Sequence, residues 1–263
     1  MRQILFSLFG LPIYAYGTAL ALGFLIAIVL ATREAAKKGV SPETIVDIAL
    51  CLCLGGLVGA RITYVLLEFG YYAQHPLEIL NIKAGGLSFY GGAVVAFATA
   101  WWYAKKKRLE PWPIADIVTP YVPLGYAIVR LGCFLNGCCY GLPSHVPWAL
   151  ACKDGDPYTL RHPTQLYAAA ASFLLFLLLY RLRNHRRFPG FLFFLYMGLY
   201  AIVRGIIEAF REDQILFAEV RTTQVVCLIA AAYAAAVIWR REKRRLQTLR
   251  LEVDGGEEVG RGA

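Results

Sequence analysis

The sequence has 263 residues, of which 58% are hydrophobic and only 17% charged, and its mean hydropathy is +0.52. A soluble core of this size cannot bury so many apolar side chains, so the excess must face lipid. The formal net charge of +9 would suit a nucleic-acid-binding protein. Most of the cations, however, lie in short segments beside apolar runs, where they orient a membrane protein and contact anionic lipid headgroups. We therefore predict an integral membrane protein and exclude nucleic acid as its partner.

Seven apolar runs have the length of membrane-crossing helices. They cover residues 13–31, 45–67, 86–104, 113–135, 166–180, 190–207 and 223–239. Pro113, Pro120 and Pro123 predict kinks or partial re-entry in the fourth run, and the fifth run is short for a full crossing. The predicted fold is an all-α polytopic protein with one membrane domain at 1–239. The tail at 240–263 is basic and then rich in Gly and Glu, which predicts disorder.

Lysine and arginine are concentrated in alternate connections between these runs. Four cations at 105–108 follow the third run, for example, whereas Lys83 alone follows the second. By the positive-inside rule the N-terminus lies outside and the C-terminus lies in the cytoplasm. This topology assigns one group of polar residues at the ends of the runs to the outer face: Tyr14, Tyr16, Arg61, Tyr90, Arg130, Asn136, Arg204 and Glu208.

Three of these residues are arginines, and an arginine within a membrane segment must pair, snorkel or line a polar cavity. For Arg61, Arg130 or Arg204 taken singly, snorkelling to the interface is the ordinary interpretation. Arg204 and Glu208 are four residues apart on one predicted helix, a spacing that permits an ion pair, and such a pair is often purely structural. A carboxylate that neutralises one arginine leaves the others able to bind an anion, and a phospholipid headgroup is the nearest abundant one.

The segment 130–141 is the densest polar cluster and contains three thiols, those of Cys133, Cys138 and Cys139. A zinc site is disfavoured, even with His162 available, because these cysteines lack the paired spacing of zinc ligands. Two other interpretations stay open: disulfides, for example with Cys152, or small apolar packing residues. We predict no metal and no cofactor.

Two further segments combine turn residues with polar side chains. Glycines at 85, 86, 91 and 92 bracket Ser88 and Tyr90, so the backbone there can turn sharply or approach a ligand or a helix closely. Tyr90 also fits an interfacial aromatic belt. His162 is followed by Pro163 and Thr164, a pattern that is typical of a helix start and that structure alone would explain.

Taken in order, these segments resemble the prolipoprotein diacylglyceryl transferase family. The family's signature has the form Arg-x-Gly-Asn-Phe-x-Asn-x-Glu-x-x-Gly, and the matching positions here are Arg130, Gly132, Phe134, Asn136 and Gly141. Residues 85–92, 162–167 and 204–212 are similar to the family as well. Three positions depart from it: Cys133 replaces the signature Asn, Cys138 replaces the Glu, and Tyr90 replaces a His. The departures remove a fixed negative charge and a base that titrates near neutrality.

The resemblance implies an enzyme of the bacterial cytoplasmic (inner) membrane with seven helices and a site near the outer leaflet. It implies transfer of the diacylglyceryl group of phosphatidylglycerol to the lipobox cysteine of a preprolipoprotein signal peptide, with release of glycerol 1-phosphate. Its partners are then these two substrates and membrane lipids. Two alternatives remain: a related lipid transferase with another acceptor, and a non-catalytic phospholipid-binding membrane protein.

The resemblance also implies roles by position. Arg130 is expected to bind the headgroup, Asn136 and Gly141 to shape the site, and Arg204 with Glu208 to form its polar wall. The expected catalytic set is Tyr90, Arg130, Asn136, Arg204 and Glu208. The expected substrate contacts come from Arg130, Gly141, Tyr16, Arg61, Ser88 and His162.

Overall fold

A computed structural model describes residues 4–8, 11–81, 85–151, 159–211, 215–217 and 220–261. Helices dominate it, as the predicted fold class requires. They are α1 (Ala15–Lys37), α2 (Pro42–Leu67), α3 (Phe69–Tyr72), α4 (Phe89–Lys106), α5 (Pro111–Val118), α6 (Val122–Asn136), α7 (Thr164–Leu182), α8 (Phe191–Glu208) and α9 (Thr222–Arg261). Short 3₁₀ helices cover Pro76–Leu80 and Thr119–Tyr121. Cys152, Lys83 and Lys153 lie outside the described residues.

The strands are short and pair antiparallel, two by two. The pairs are β1 (Ile4–Leu8) with β2 (Leu11–Tyr14), β3 (Leu150–Ala151) with β4 (Leu160–Arg161), and β5 (Ile215–Phe217) with β6 (Val220–Arg221). Two-stranded ribbons of this size form no hydrophobic layer of their own. The first pair precedes α1 and the other two connect helices, so the core is left to helix packing.

Six helical segments within the described ranges are long and apolar enough to cross a membrane. They are Ala15–Lys37, Pro42–Leu67, Pro111–Asn136, Thr164–Leu182, Phe191–Glu208 and Thr223–Thr248. The chain is therefore a multi-pass membrane protein. The predicted run at 86–104 coincides with α4, which is less apolar because Trp101, Trp102, Tyr103 and two lysines occupy its last turns. The count of seven spans stays a prediction.

The fourth predicted run contains the break that its prolines indicate. The segment Pro111–Asn136 is divided by the 3₁₀ turn Thr119–Tyr121 into α5 and α6. Pro120 and Pro123 have no backbone N–H, so the regular ladder of helical hydrogen bonds cannot run through them. The helix is therefore interrupted at these prolines, and a kink or partial re-entry there stays a prediction.

The last helix differs from the sequence prediction for the tail. The backbone of α9 remains helical as far as Arg261, across most of the segment 240–263 that we predict to be disordered. The early part of this segment is rich in Arg, Lys, Leu and Glu, which are good helix formers. The division of the chain at residue 240 stays a prediction.

The chain divides into two compact units, and each is described by itself. The first unit comprises Met1–Val29 with Ala115–Ala263, and the second comprises Leu30–Ile114. In the second unit α2 packs on α4 through small residues: a Cβ added to Gly55 would collide with the side chain of Thr99, and one on Gly59 with Val95. Close approach of this kind holds membrane helices together where the hydrophobic effect cannot.

A buried carboxylate fixes the start of α8 in the first unit. Asp116 of α5 is fully buried and accepts hydrogen bonds from the backbone N–H groups of Gly190 at 2.8 Å, Leu192 at 2.9 Å and Phe193 at 3.2 Å. A negative charge at a helix N-terminus satisfies unpaired N–H groups and is favoured by the helix dipole. Asp116 thereby fixes the helix that carries Arg204 and Glu208.

Candidate anion site and its thiol cluster

Two helices of the first unit carry tyrosine and arginine at the same spacing. Tyr126 and Arg130 lie on α6, and Tyr200 and Arg204 lie on α8, four residues apart in each case, so each pair shares a helix face. The Arg130 guanidinium donates a hydrogen bond to the Tyr126 hydroxyl and lies 4.7 Å from the centroid of its ring. The rings of Tyr126 and Tyr200 pack edge to face at 5.6 Å, and their hydroxyls are 3.4 Å apart. The tyrosines join the two helices one turn away from the arginines.

A narrow cavity lies beside these pairs. It has about 10 Å³, which is room for about one water molecule. Its polar lining comes from α6, α7, α8 and the residues just after α8, and consists of Tyr126, Arg130, Thr164, Ser172, Tyr200, Arg204 and Arg211. The structure therefore brings Arg130 and Arg204 together, as the sequence predicts, and adds Arg211.

The charge of this cavity is positive. Glu208 is fully buried and its carboxylate oxygen lies 2.5 Å from the Arg204 guanidinium, so the predicted ion pair is confirmed. The cavity wall also contains Arg130 and Arg211, and Glu208 can neutralise only one of the three guanidinium groups. The Nε of Arg130 is buried and has no hydrogen-bond partner among the described residues. Unsatisfied guanidinium donors and an excess of positive charge favour an anion, above all phosphate or carboxylate.

The turn after α6 is held against the start of α7. Gly137, at a left-handed φ of +83°, ends α6 and reverses the chain. The Gln165 amide donates to the Cys138 carbonyl at 2.5 Å, and the Thr164 hydroxyl donates to the Cys139 carbonyl at 2.8 Å. A Cβ on Gly141 would collide with the Phe210 carbonyl and with Thr164, so no larger residue fits. The expectation that Gly141 shapes the site thus has a physical basis in close packing.

This turn also assembles the three thiols. The sulfur atoms of Cys133, Cys138 and Cys139 all lie within 4.8 Å of one another, and each is a free thiol. The side chain of Asn136 hydrogen-bonds to the sulfur of Cys138. These cysteines lack the paired spacing of zinc ligands along the sequence, but the chain reverses at Gly137 and places Cys138 and Cys139 back beside Cys133.

The pKa values of the two thiols of the turn, Cys138 and Cys139, are shifted in opposite directions. A hydrogen bond from the Cys133 thiol lowers the pKa of Cys139 to about 5, and the charges of Arg211 and Arg130 act in the same direction. Burial raises the pKa of the Cys138 thiol above its ordinary value. Cys139 is therefore the more acidic of these two thiols.

Two more predicted residues lie near this turn. His162 packs against Phe210 with ring centroids 5.2 Å apart, and its Nδ1 is 3.1 Å from the Tyr167 hydroxyl. The carbonyl of His162 accepts the backbone N–H of Gly141 at 2.9 Å. Tyr16 lies on α1, where its Cα is 3.5 Å from the position of a Cβ on Gly132 of α6. Their predicted contacts with a substrate stay predictions.

Arg61, in the second unit, has a different environment. Its side chain is buried, and its guanidinium donates five hydrogen bonds of 2.5–3.2 Å to backbone carbonyls. The acceptors are the carbonyls of Glu78, Ile79, Asn81, Gly85 and Gly86. Because a guanidinium has five N–H groups, this network uses its whole donor capacity. The geometry gives Arg61 a structural role, and its predicted contact with a substrate stays a prediction.

The other predicted residues of the second unit begin α4. The backbone N–H of Ser88 donates to the Ala60 carbonyl at 2.9 Å, which ties the start of α4 to α2. Tyr90, in the first turn of α4, is 78% exposed. Their roles in substrate binding and catalysis stay predictions.

Comparison with known proteins identifies the family. Residues 3–240 match the family model described as prolipoprotein diacylglyceryl transferase. The chain belongs to that family. It is 37% identical to the phosphatidylglycerol–prolipoprotein diacylglyceryl transferase of Finegoldia magna over 94% of this chain and 98% of the relative. The enzyme of the same name from Clostridioides difficile is 34% identical over 87% of this chain and 91% of the relative, and that from Bacillus cytotoxicus is 37% identical over 82% and 83%.

Several residues that line the cavity of this prolipoprotein diacylglyceryl transferase were not predicted from the sequence. Tyr126 and Tyr200 each precede a predicted arginine by four residues, so the helical spacing could have identified both. Arg211 follows Glu208 by three residues and could have been found in the same way. Ser172 gives no such signal because a serine in an apolar helix is common.

Proposed function

We propose that this chain is a phosphatidylglycerol–prolipoprotein diacylglyceryl transferase, which catalyses the first step of bacterial lipoprotein maturation. It transfers the diacylglyceryl group of phosphatidylglycerol to the thiol of a lipobox cysteine and releases glycerol 1-phosphate. The observation that carries the proposal is the match of residues 3–240 to the family model, together with relatives of that name over most of the chain. The positive cavity of the first unit supports a phosphate-bearing substrate.

In this proposal the phosphate of phosphatidylglycerol binds at Arg130, with Arg204 and Arg211 beside it. The acceptor thiolate attacks the glyceryl carbon that carries the phosphate oxygen. A carbon–sulfur bond forms, the carbon–oxygen bond breaks, and the electron pair leaves with glycerol phosphate, whose new monoester takes up the proton of the thiol. The guanidinium groups stabilise the charge that develops on the leaving oxygen. Glu208 holds Arg204 in place through their ion pair.

The cavity must widen during this reaction. Its volume of about 10 Å³ admits about one water molecule and no phospholipid headgroup. The headgroup therefore enters when the side chains around Arg130 move apart, and the walls close on it afterwards. Closure of this kind excludes water, which would otherwise compete with the thiolate.

The remaining residues have supporting roles in the proposal. Asn136 and Gly141 shape the turn beside the cavity, and Arg61 organises residues 78–81, 85 and 86. Tyr90 orients the acceptor thiol, and Ser88, Tyr16 and His162 contribute to substrate binding. Among these residues, Tyr90 stands where the family usually has His.

The proposal includes a membrane topology. Helix α4 (Phe89–Lys106) supplies a span in addition to the six apolar segments, which makes seven. The alternation of Lys and Arg places the N-terminus outside and the C-terminus in the cytoplasm. The protein then resides in the bacterial cytoplasmic (inner) membrane with its site at the outer leaflet, and its partners are phosphatidylglycerol, the preprolipoprotein signal peptide and surrounding lipids.

One assay tests the reaction. The purified protein is incubated with phosphatidylglycerol and a lipobox peptide, and the peptide is analysed by mass spectrometry for a diacylglyceryl thioether. A peptide with serine at the lipobox cysteine is the control and should remain unmodified. Release of glycerol phosphate only with a different acceptor would indicate another lipid transferase, and no release with any acceptor would indicate a non-catalytic lipid-binding protein.

A further inference from the structure

The three thiols beside the anion cavity have the arrangement of a metal-binding site. Cys133 is on the last turn of α6, and Cys138 and Cys139 follow the Gly137 reversal. The sulfur atoms of Cys138 and Cys139 are 3.8 Å apart, and all three sulfur atoms lie within 4.8 Å of one another. Cysteines that serve only as small apolar packing residues have no need to place three sulfur atoms close together.

The separations fit the size of a metal–thiolate complex. With metal–sulfur bonds of about 2.3 Å, sulfur atoms around a tetrahedral or trigonal ion are roughly 3.8–4.0 Å apart. The pair formed by Cys138 and Cys139 already has this separation at 3.8 Å. The remaining pairs, at no more than 4.8 Å, need to close by less than about 1 Å, which a change of side-chain rotamer supplies.

The surroundings of the cluster also suit bound thiolates. The positive charges of Arg130 and Arg211 act on Cys139, so the cluster has cations beside it that can offset the charge of metal-bound thiolates. The carbonyls of Cys138 and Cys139 are held by Gln165 and Thr164, so the loop that presents both ligands is fixed from outside the cluster. Hydrogen bonds that hold the ligand-bearing residues in place are characteristic of metal sites.

We propose that Cys133, Cys138 and Cys139 bind one thiophilic d¹⁰ metal ion, Zn²⁺ or Cu⁺, beside the anion cavity. Three sulfur donors select these soft ions over Mg²⁺ or Ca²⁺. Binding releases the protons that the three thiols carry and leaves a complex with net negative charge, which the neighbouring arginines offset. The site goes beyond the transferase reaction proposed above and does not depend on it.

Metal retention by the full-length protein tests this proposal. The protein in detergent is reduced, freed of metal, and supplied with Zn²⁺ or, under anaerobic conditions, Cu⁺, and then desalted. We expect about one ion per chain by mass spectrometry of the metal. We also expect metal to slow the alkylation of these three cysteines at least about tenfold, while the alkylation of Cys53, exposed on α2, keeps its rate.

Serine variants of single cysteines test the metal site more specifically in the same measurement of metal retention. Cys139→Ser and Cys138→Ser should each weaken metal binding at least about 100-fold, because loss of a ligand costs more than loss of a residue that only holds a ligand in place. Cys53→Ser should leave metal binding unchanged. Retention of neither ion, or equal retention by a protein with serine at all three positions, would overturn the proposal. A protein mass that is lower by two hydrogen atoms under reducing conditions would also overturn the proposal, because a disulfide would then occupy two of the three sulfur atoms. The alkylation experiment uses the wild-type protein, so a variant that fails to fold leaves the proposal testable.

Discussion

The two compact units use buried arginine in opposite ways. In the second unit, Arg61 donates five hydrogen bonds to backbone carbonyls, which are neutral acceptors that belong to the protein itself. In the first unit, Arg130 donates a hydrogen bond to the Tyr126 hydroxyl and lies over its ring, and its buried Nε has no hydrogen-bond partner among the described residues. The donors of the first arginine are all used within the protein, whereas we expect the second arginine to bind a ligand.

The difference shows how an anion site can be distinguished from a structural arginine in a membrane protein. Both residues are costly to insert, so both need a reason to be retained. Arg61 obtains its stabilisation on folding, when carbonyls of residues 78–81, 85 and 86 surround it. Arg130 and Arg211 share a cavity with the Arg204–Glu208 pair, so we expect a bound anion to stabilise them further.

Replacement of Arg130 should have the largest effect on activity. Arg130→Gln removes the charge that meets the phosphate, and loss of one preorganised donor to a developing oxyanion costs about 10²–10³-fold in turnover, or about 2.7–4 kcal/mol. Arg130→Lys should restore little of it, because an ammonium cannot offer two parallel N–H groups to phosphate. The measurement is the rate of thioether formation, with Arg240→Gln, an exposed residue of α9, as the matched control. Thioether formation at the wild-type rate in folded Arg130→Gln would show that the cavity is not the headgroup site.

Replacement of Arg61 should instead act on stability. Arg61→Lys keeps the charge but offers at most three donors, so at least two of the five carbonyls lose their partner. At about 1 kcal/mol or more for each unsatisfied carbonyl, we expect a loss of about 2–3 kcal/mol in the free energy of unfolding. Thermal unfolding in detergent measures this, and Arg33→Lys, at an exposed position of α1, should leave the melting temperature unchanged. A stable Arg61→Lys variant with a raised KM for phosphatidylglycerol would instead mean that Arg61 binds the substrate.

The sequence predicts some of this architecture because the relevant contacts are local. The spacing of four residues is sufficient to predict the pair of Arg204 and Glu208, and the prolines are sufficient to predict the interruption between α5 and α6. The cap on α8 is different, because Asp116 and Gly190 are 74 residues apart and nothing in their residue types connects them. Arg61 is harder still: its acceptors are backbone carbonyls, which every residue has, so no side chain indicates them.

Glu208 should have a smaller effect, divided between binding and turnover. Glu208→Gln leaves the shape of the side chain but raises the charge of the cavity by one unit. The anion should then bind more tightly and leave more slowly, so we expect a KM for phosphatidylglycerol and a kcat that both fall up to about tenfold, which corresponds to about 1.4 kcal/mol. Steady-state kinetics separates the two parameters, and Glu242→Gln, which breaks ion pairs with Arg187 and Arg245 elsewhere in the unit, is the control. A kcat that vanishes with an unchanged KM would make Glu208 a proton-transfer residue.

The smallest predicted effect is a difference in stability between alanine variants of two adjacent glycines, whose carbonyls accept hydrogen bonds from Arg61. Gly85 and Gly86 both have left-handed backbone, with φ of +89° and +76°, so alanine at either position costs about 1 kcal/mol or more in strain. A Cβ on Gly85 has nothing within 4 Å, whereas one on Gly86 would lie 2.6 Å from Nη1 of Arg61 and 2.7 Å from the Tyr64 ring.

Gly86→Ala should therefore destabilise the protein by about 1 kcal/mol more than Gly85→Ala, because only the second glycine must make room for the guanidinium. Thermal unfolding of the two variants side by side measures the difference, and the shared strain cancels between them. If both variants melt at the same temperature, the carbonyls around Arg61 can shift to admit a methyl group. The contrast with Arg130 would then weaken, because an arginine whose partners yield so easily could exchange them for a lipid phosphate.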